Sequence, residues 1–293
     1  MLLNRTFWNI TDAMLQGVLL EVSTRSKPGL VCYGNAGCHK DMSILTFMAS
    51  SAALTPYFYG FVEMGYQYDG PITDIIPTMR KLGVEAEQRL LESTAGINTQ
   101  RGALFCMGIL GTLAGYLMAK EGKIDPERLF ELAIEAGVDL VDELKHVDPD
   151  RKKTAGEQLY DKYGVTGIRG EAAAGFPGVR YHGLPAFKEA FAKGATLNQA
   201  IVHVLLSLCA NVDDTTILWR SDMETLRDFQ ARAQDVIDRG SVFTAEGEAA
   251  LDEFNYYCRD KHISPGGCAD LVGVTIAVYL WENKVFPEGI AIK

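Results

Sequence analysis

The run GALFCMGILGTLAGYLMA, residues 102–119, has no charged side chain and is long enough for about five turns of helix. A second uncharged run covers residues 42–62. Either run could cross a bilayer by length alone, but neither has the one-sided excess of Lys or Arg that would orient it there. Gly111 and Gly115 lie one helical turn apart, which lets another helix pack closely. We therefore predict that both runs are core helices of a helical bundle.

Helical periodicity extends over most of the remaining chain. Apolar residues recur at helical spacing in residues 9–22, and Asp125 before Pro126 is a helix start that predicts a helix to Leu144. Alternating strand patterns with hairpin signals are nearly absent. Further helices are predicted over residues 71–91, 197–210, 222–238, 244–259 and 268–281. These patterns predict an all-α fold in which residues 1–293 form one catalytic domain, a single large bundle of about ten or more helices.

The composition, with 47% hydrophobic and 23% charged residues, is typical of soluble globular proteins and excludes the disordered and fibrous classes. The net charge is −10, from 28 Lys and Arg against 38 Asp and Glu. An acidic surface argues against a nucleic-acid partner but allows a local cationic pocket, and it is compatible with a monomer or a homodimer. The first residues lack the basic and apolar regions of a signal peptide, so we expect a cytoplasmic protein with no membrane partner.

Glycine is more frequent than average, with 29 residues, and many of the glycines lie in four segments between predicted helices. Residues 164–183, GVTGIRGEAAAGFPGVRYHG, contain six of them, and we predict an irregular loop there rather than a helix. The other three segments are residues 27–41, 95–102 and 264–267. Three of the four segments also carry charged or amide side chains, so we predict that glycine-rich loops at helix ends form the functional site.

Cationic side chains in these loops indicate a site for a phosphorylated small molecule. The sequence contains neither the P-loop nor the Rossmann glycine pattern, so helix N-termini, glycine-rich turns and nearby cations would have to hold the phosphates. The candidate cations are Lys27, Lys40, Arg101 and Arg169. The alternative for each of them is a solvated surface cation.

Two adjacent carboxylates, Asp213 and Asp214, follow the apolar run 200–210. The C-terminal end of a helix already carries partial negative charge, so two carboxylates there are unfavourable without a cation. Mg²⁺ is the natural partner because it binds carboxylates together with substrate phosphates. The alternative is that one of the two caps the next helix or pairs with an arginine.

Other carboxylates and one histidine are also candidates. Glu21 lies on the first helix, where an ion pair with the arginine one turn later is the alternative to a functional role. Asp270 lies in the first turn of the last helix, a position that favours a carboxylate for structural reasons alone. His39 lies two residues from Asp41 in a polar loop, where an imidazole can carry a proton or contact a phosphate. Glu171 is the carboxylate of the longest glycine-rich segment.

Five stretches of the chain resemble the triphosphoribosyl-dephospho-CoA synthase family, whose members make the prosthetic-group precursor of citrate lyase and of malonate decarboxylase. They occur in the family's order and are EVSTRSKPGLVCYGNAGCHKDM (21–42), GINTQRGALF (96–105), GIRGEAAAGFPGVR (167–180), NVDDTT (211–216) and SPGGCADLVG (264–273). The family usually has histidine and lysine where this chain has Gln100 and Arg101, so the cation is kept and the titratable group is not. It often has asparagine at the position of Thr216.

The resemblance implies transfer of the triphosphoribosyl group of ATP, from C1′, to the 2′-hydroxyl of 3′-dephospho-CoA, with release of adenine. It implies ATP and 3′-dephospho-CoA as substrates and Mg²⁺ as the cofactor. The product would be destined for an acyl carrier protein subunit of citrate lyase or malonate decarboxylase. Breaking the N-glycosidic bond builds positive charge on the ribose, which a carboxylate would stabilise. The attacking hydroxyl needs a general base, and the departing adenine needs a proton.

Roles for the candidate residues follow from this chemistry as expectations. The metal ligands would be Asp213, Asp214 and Glu21. The substrate and phosphate ligands would be Lys27, Lys40, Asn98, Arg101, Arg169 and Asp270. The catalytic residues would be Glu171, Asp41 and His39, with Glu171 or Asp41 as the base.

Two other classes of protein fit parts of the same pattern. An all-α hydrolase with a two-carboxylate Mg²⁺ site would act on a nucleotide or phosphate ester and release phosphate or pyrophosphate, not adenine. A non-catalytic accessory protein would bind dephospho-CoA or an acyl carrier protein without turnover. Charged residues concentrated in glycine loops disfavour this second alternative, because a pure binding groove is more apolar.

Overall fold

The computed structural model describes residues 4–146 and 152–287, and in these ranges it contains fourteen α-helices and no strand. The all-α fold class is therefore confirmed. In chain order the helices are α1 (Arg5–Ser23), α2 (Ile44–Gln67), α3 (Ile75–Ser93), α4 (Arg101–Glu121), α5 (Pro126–Ala136), α6 (Asp142–Lys145), α7 (Ala155–Tyr163), α8 (Gly167–Ala173), α9 (Leu184–Ala192), α10 (Leu197–Asn211), α11 (Thr215–Arg220), α12 (Met223–Asp238), α13 (Ala245–Asp260) and α14 (Gly266–Asn283). The predicted domain, residues 1–293, includes residues outside the described ranges.

Side-chain caps fix several of the helix starts. Asp125 accepts a hydrogen bond from the backbone N–H of Arg128, with Pro126 at the first position of α5, as the sequence predicts. Thr196 forms a capping box at the start of α10, and Asp222 caps α12. Such caps satisfy N–H groups that have no partner inside the helix.

The centre of the fold is formed by α1, α2, α4 and α14, which pack on one another. Of the described helices, α4 is the one that is long and apolar enough to cross a membrane by length and composition alone. Its most apolar stretch is 72% buried inside the fold, where it packs along α2. Both uncharged runs of the sequence therefore form core helices, as predicted.

Glycines allow these central helices to approach backbone to backbone. A Cβ atom at Gly115 of α4 would lie 2.1 Å from the carbonyl oxygen of Val62 in α2. In the opposite direction, a Cβ at Gly65 of α2 would lie 1.8 Å from the carbonyl oxygen of Thr112. A Cβ at Gly111 would overlap a methionine side chain of α1. The close packing expected from the spacing of Gly111 and Gly115 is confirmed.

Gly115→Ala is expected to lower the free energy of unfolding by about 1–3 kcal/mol, because the new methyl group overlaps a backbone carbonyl that cannot rotate away. Gly83→Ala is the matched control, since Gly83 lies inside α3 and a methyl group added there would meet no neighbouring atom within 4 Å. This control should stabilise the helix by up to about 1 kcal/mol. Urea denaturation of both variants checks the pair, and equal shifts would contradict the close approach of α2 and α4.

The second half of the chain covers α14 with a further group of helices. Helix α10 packs against α9, α12 and α14, and α13 covers α12. The short helix α11 contacts α7, α12 and α14. This arrangement brings the loop between α10 and α11 next to the start of α14.

Two sequence expectations about local structure are wrong. Residues 164–183 contain helix α8 and a π-helical turn, Gly178–Gly183, rather than an irregular loop throughout. Their alanine-rich centre favours a helix, and two of the three glycines with positive φ angles, Gly167 and Gly175, lie at its ends. The helix predicted from Asp125 to Leu144 ends at Ala136. There the backbone of Gly137 approaches α8, so closely that a Cβ would lie 3.0 Å from a backbone Cα of that helix.

Candidate functional site

A cavity of about 730 Å³ opens where the glycine-rich segments meet. Its volume lies within the range of roughly 300–1,000 Å³ that is typical of small-molecule sites. All four glycine-rich segments contribute to the wall, and so does the loop between α10 and α11. The helix ends of α4, α8, α11 and α14 therefore surround one space, as predicted from the distribution of glycine and charge.

Most of the predicted site residues lie in the wall of this cavity. They are Glu21, His39, Asn98, Arg101, Glu171, Asp213, Asp214 and Asp270. Lys27 lies behind the wall and forms an ion pair with Glu21. Lys40 and Asp41 lie outside the wall on an exposed part of the loop. Arg169 faces a separate depression, where its Nε lies 3.9 Å from a carboxylate oxygen of Glu143.

Glu21 and Lys27 form a buried ion pair. Their side chains are only 8% and 1% exposed, respectively. Burial raises the pKa of the Glu21 carboxyl, and the charge and hydrogen bond of Lys27 lower it. The surface pair with Arg25, the structural alternative, is absent from the described ion pairs, since Arg25 instead lies over the ring of Tyr33. Lys27 therefore compensates a buried charge at the cavity wall.

Asp214 is buried and connects two of the loops. Its Oδ1 accepts hydrogen bonds from the backbone N–H groups of Thr216, at 2.8 Å, and Ile217, at 3.2 Å. Its Oδ2 accepts one from the N–H of Cys268 at 2.8 Å. Burial nevertheless raises the pKa of this carboxyl. Asp214 thus caps α11 and fixes the preceding loop to the start of α14.

Asp213 points to the other side of the loop and pairs with Arg227 of α12. The guanidinium donates from Nη1 to Oδ1 at 2.6 Å and from Nη2 to Oδ2 at 3.4 Å. Gln230 also donates to Oδ1, at 3.1 Å. Both structural alternatives considered for the two aspartates, a helix cap and an arginine partner, are therefore present.

Asp270 is the wall carboxylate that its surroundings perturb most strongly. Burial and the charges of Glu21 and Asp214 raise its pKa well above the ordinary value, while the backbone N–H of Ala103 lowers it. Its Oδ2 lies only 1.9 Å from the place where Gly102 would carry a Cβ. Glycine at that position therefore allows the carboxylate to reach the N-terminal end of α4.

Glu171 has no cationic partner among the described residues. Its Oε2 accepts a hydrogen bond from the backbone N–H of Gly178 at 3.0 Å. Burial raises the pKa of the carboxyl, and this hydrogen bond lowers it. A cavity carboxylate whose pKa is shifted toward neutrality has the properties required of a general base.

His39 connects the loop after α1 with the start of α14. Its Nε2 lies 2.9 Å from the hydroxyl of Ser264, and its Nδ1 lies 3.8 Å from a carboxylate oxygen of Asp41. Burial and the charge of Arg220 lower the pKa of the imidazole, and Asp41 raises it. The lowered pKa favours the neutral imidazole at pH 7. Asp41, with a side chain 61% exposed, lies outside the cavity wall beside this imidazole.

Arg220, Arg227 and Ser264 are among the wall residues absent from the predicted set. Arg220 ends α11, the helix that begins inside the NVDDTT stretch at Thr215, so its nearness to that motif was an available signal. Arg227 lies on a helix whose charged residues look like an ordinary solvated face, and the sequence offers no signal for it. Ser264 lies within a stretch already singled out but is too short a side chain to stand out by type.

Gln100 occupies the wall position where the related family usually has histidine. Its side chain is buried, and its Oε1 lies 3.1 Å from the hydroxyl of Ser50 and 3.2 Å from that of Ser51. The neighbouring Arg101 lies 2.5 Å from a carboxylate oxygen of Glu87. The structure thus places an amide, held by two hydroxyl groups of α2, at this point of the cavity.

The donor set of the wall fits Mg²⁺ that arrives with a phosphorylated substrate. The negative charges of Glu21 and Asp214 lie close enough to Asp270 to raise its pKa. A bound cation would relieve this repulsion between like charges. Within residues 4–146 and 152–287, no three side chains form a ready metal site. Mg²⁺ does not require one, because it commonly binds one or two carboxylates and keeps water and phosphate oxygens as its other ligands.

Comparison with known proteins gives the family. Residues 7–286 match the family described as CitG, ATP:dephospho-CoA triphosphoribosyl transferase. A Malonomonas rubra protein named probable 2-(5''-triphosphoribosyl)-3'-dephosphocoenzyme-A synthase is 39% identical over 285 residues, which cover 95% of this chain and 89% of that protein. A protein of the same name from Vibrio cholerae serotype O1 is 40% identical over 264 residues, or 89% and 84% of the two chains. The 2-(5''-triphosphoribosyl)-3'-dephosphocoenzyme-A synthase of Pectobacterium atrosepticum is 35% identical over 282 residues, or 94% and 90%. No solved structure matches the chain.

The fold is all-helical, and its cavity is lined by carboxylates and arginines. The match to the family covers nearly the whole chain, including all five stretches that resemble it. The protein is a transferase that acts on a nucleotide. The chain belongs to the ATP:dephospho-CoA triphosphoribosyl transferase family, and its activity is the transfer for which that family is named. The resemblance found in the sequence is confirmed, and it favours the transferase over the hydrolase and the accessory protein.

Proposed function

We propose that the cavity holds ATP and 3′-dephospho-CoA together. The C1′–N9 bond of ATP breaks, a bond forms from C1′ to the 2′-hydroxyl oxygen of dephospho-CoA, and adenine leaves. The proton lost by the hydroxyl balances the proton gained by adenine. One observation supports this proposal above the others: the five stretches that resemble the family, distant in the chain, meet around one cavity.

Glu171 is the residue that we assign as the general base. It lies in the wall, has no cationic partner among the described residues, and has a pKa raised by burial. Asp41 is the alternative base, but it is exposed and lies outside the wall. His39, neutral and hydrogen-bonded to Ser264, would contact substrate as a neutral hydrogen-bonding group.

We assign Mg²⁺ to one or two of the wall carboxylates Glu21, Asp214 and Asp270, with phosphate and water oxygens as its other ligands. Bound beside them, the ion would neutralise triphosphate charge and hold a group that the reaction retains. Asp213 is the predicted ligand that stands apart from these three, since it pairs with Arg227. Asn98 and Arg101 remain the wall residues proposed for substrate binding. Lys40 and Arg169 lie outside the wall, and their proposed phosphate contacts have no support from its geometry.

The fate of the product is a further part of the proposal. The resemblance supports delivery to an acyl carrier protein subunit of citrate lyase or malonate decarboxylase. The acidic composition disfavours a nucleic-acid partner and is compatible with a monomer or a homodimer. A cytoplasmic location without a membrane partner is also part of the proposal.

A turnover assay tests the proposed reaction. The purified protein, incubated with ATP, Mg²⁺ and 3′-dephospho-CoA, is expected to release adenine and a heavier coenzyme product in equal amounts, measured by mass spectrometry. Omitting dephospho-CoA should abolish adenine release, because the acceptor hydroxyl is then missing. Phosphate or pyrophosphate without adenine would support the hydrolase, and binding without turnover would support the accessory protein. Either result from folded protein would contradict the proposal.

A further inference from the structure

Arg220 differs from the other cations of the cavity wall in having no carboxylate partner within the described part of the chain. Arg101 pairs with Glu87, and Arg227 pairs with Asp213. Lys27, behind the wall, pairs with Glu21. Among residues 4–146 and 152–287, Arg220 is therefore the wall arginine whose positive charge no neighbouring carboxylate neutralises.

The position of Arg220 directs that charge toward the cavity. It is the last residue of α11, the helix that Asp214 caps and fixes to the start of α14. Its guanidinium is near enough to the loop after α1 to act electrostatically on both Cys38 and His39. Around it the wall presents Ser264 and Gly266, at the N-terminal end of the eighteen-residue helix α14.

These surroundings suit a phosphate group. A helix N-terminus carries partial positive charge, and an arginine can donate two parallel hydrogen bonds to one phosphate. His39 lies beside this space, with its Nε2 2.9 Å from the hydroxyl of Ser264, so the neighbouring side chains are polar and not anionic. Asp41, the carboxylate on that loop, is 61% exposed and lies 3.8 Å from the imidazole Nδ1 of His39.

Resting on the proposed function, we propose that Arg220 is a substrate-binding residue that holds the polyphosphate chain of a substrate at the start of α14. Two substrates carry such a chain, since ATP has a triphosphate and dephospho-CoA has a diphosphate. The chemistry recognised is the same in both, so measurements on each substrate separately must distinguish them.

The test compares Arg220→Gln and Arg220→Lys with wild type in direct binding, using isothermal titration with ATP, with dephospho-CoA and with inorganic tripolyphosphate. Arg220→Gln should weaken binding of the substrate whose phosphates Arg220 holds by about 10- to 100-fold, the range for a lost charge-assisted hydrogen bond. If that substrate is ATP, binding of tripolyphosphate should weaken by a similar factor. Arg220→Lys should lose less, because it keeps the charge and loses the paired geometry. Arg239→Gln is the control, since that exposed arginine pairs with Asp235 on α12.

The two kinetic constants separate binding from a structural role. Arg220→Gln should raise the KM of one substrate by a similar factor and leave kcat within a few-fold of wild type. Its thermal unfolding should match wild type, because no ion pair is lost. A change in the KM and affinity of ATP alone assigns the triphosphate, and a change for dephospho-CoA alone assigns the diphosphate. Unchanged affinity for all three ligands overturns the inference.

This outcome is independent of the turnover assay. If the wild-type protein binds tripolyphosphate through Arg220 but releases no adenine, the proposed function fails and the phosphate site stands. If adenine is released and neither Arg220 variant alters binding, the phosphate site fails and the proposed function stands. A lower unfolding temperature for both variants, with unchanged binding per folded molecule, would also count against the inference.

Discussion

Lys27→Met is expected to destabilise the folded protein by about 3–5 kcal/mol, the cost of leaving one member of a buried ion pair without its partner. The reason is that Glu21 would keep its place in the wall, with a side chain only 8% exposed, and lose its compensating charge. Methionine keeps the length and apolar stem of lysine, so packing changes little. Urea denaturation at pH 7 measures the difference in the free energy of unfolding.

The pH dependence of this loss identifies its cause. Without Lys27, burial alone raises the folded-state pKa of Glu21 above its ordinary value of 4.5. The neutral carboxyl is tolerated in the fold and the charged one is not, so stability is retained below about the unfolded pKa and lost as pH rises through the folded pKa. The deficit of Lys27→Met should therefore shrink as the pH falls toward 4.5. Adding Glu21→Gln should recover much of the stability at pH 7, and a deficit that stays constant with pH would contradict a buried-charge origin.

Glu171→Gln is expected to lower kcat by about 10²–10⁴-fold, the usual contribution of a general base. Glutamine cannot accept the proton of the attacking hydroxyl. Its side-chain oxygen can still accept the N–H of Gly178, so the fold should be preserved. The measurement is the steady-state rate of adenine release, with circular dichroism and thermal unfolding as checks on folding.

The pH profile makes this prediction specific to Glu171. Only the ionised carboxylate is a base, and burial raises its pKa, so wild-type activity should fall as pH drops through a value above 4.5. Glu171→Gln should lose this acid limb. Asp41→Asn discriminates between the two predicted bases, because Asp41 is exposed and outside the wall. If Asp41→Asn abolished the acid limb and Glu171→Gln kept it, the assignment of the base would be wrong.

The helices were predictable because the signals that form them are local. An uncharged run of eighteen residues, 102–119, with Gly111 and Gly115 one turn apart, indicates a helix that other helices approach closely, and α4 is such a helix. Where the signal was mixed, prediction failed. In residues 164–183, glycines at helix ends masked an alanine-rich helical centre between them.

Which residues line the site was predictable from the sequence, but which partners they bind was not. Glycine beside charge marked loops at helix ends, and most of the residues chosen there do line the cavity. The partners of those residues were not predictable, because they lie on distant parts of the chain. Asp213 pairs with Arg227 on a different helix, and Asp214 accepts the N–H of Cys268, 54 residues away. Arg169 carried the same local pattern as Arg101, yet α8 turns it toward Glu143 and away from the cavity.

Separate helix ends, distant in sequence, form one substrate site. Hydrogen–deuterium exchange with and without Mg²⁺ and ATP tests it most directly, because amides in loops and in the first turns of helices lack intrahelical partners and exchange readily. We expect ATP to slow exchange in at least three of four segments and to leave exchange in α13 unchanged. The four segments are residues 98–102, 164–171, 211–216 and 264–267. Protection confined to one segment, or found only outside these four, would contradict a shared site.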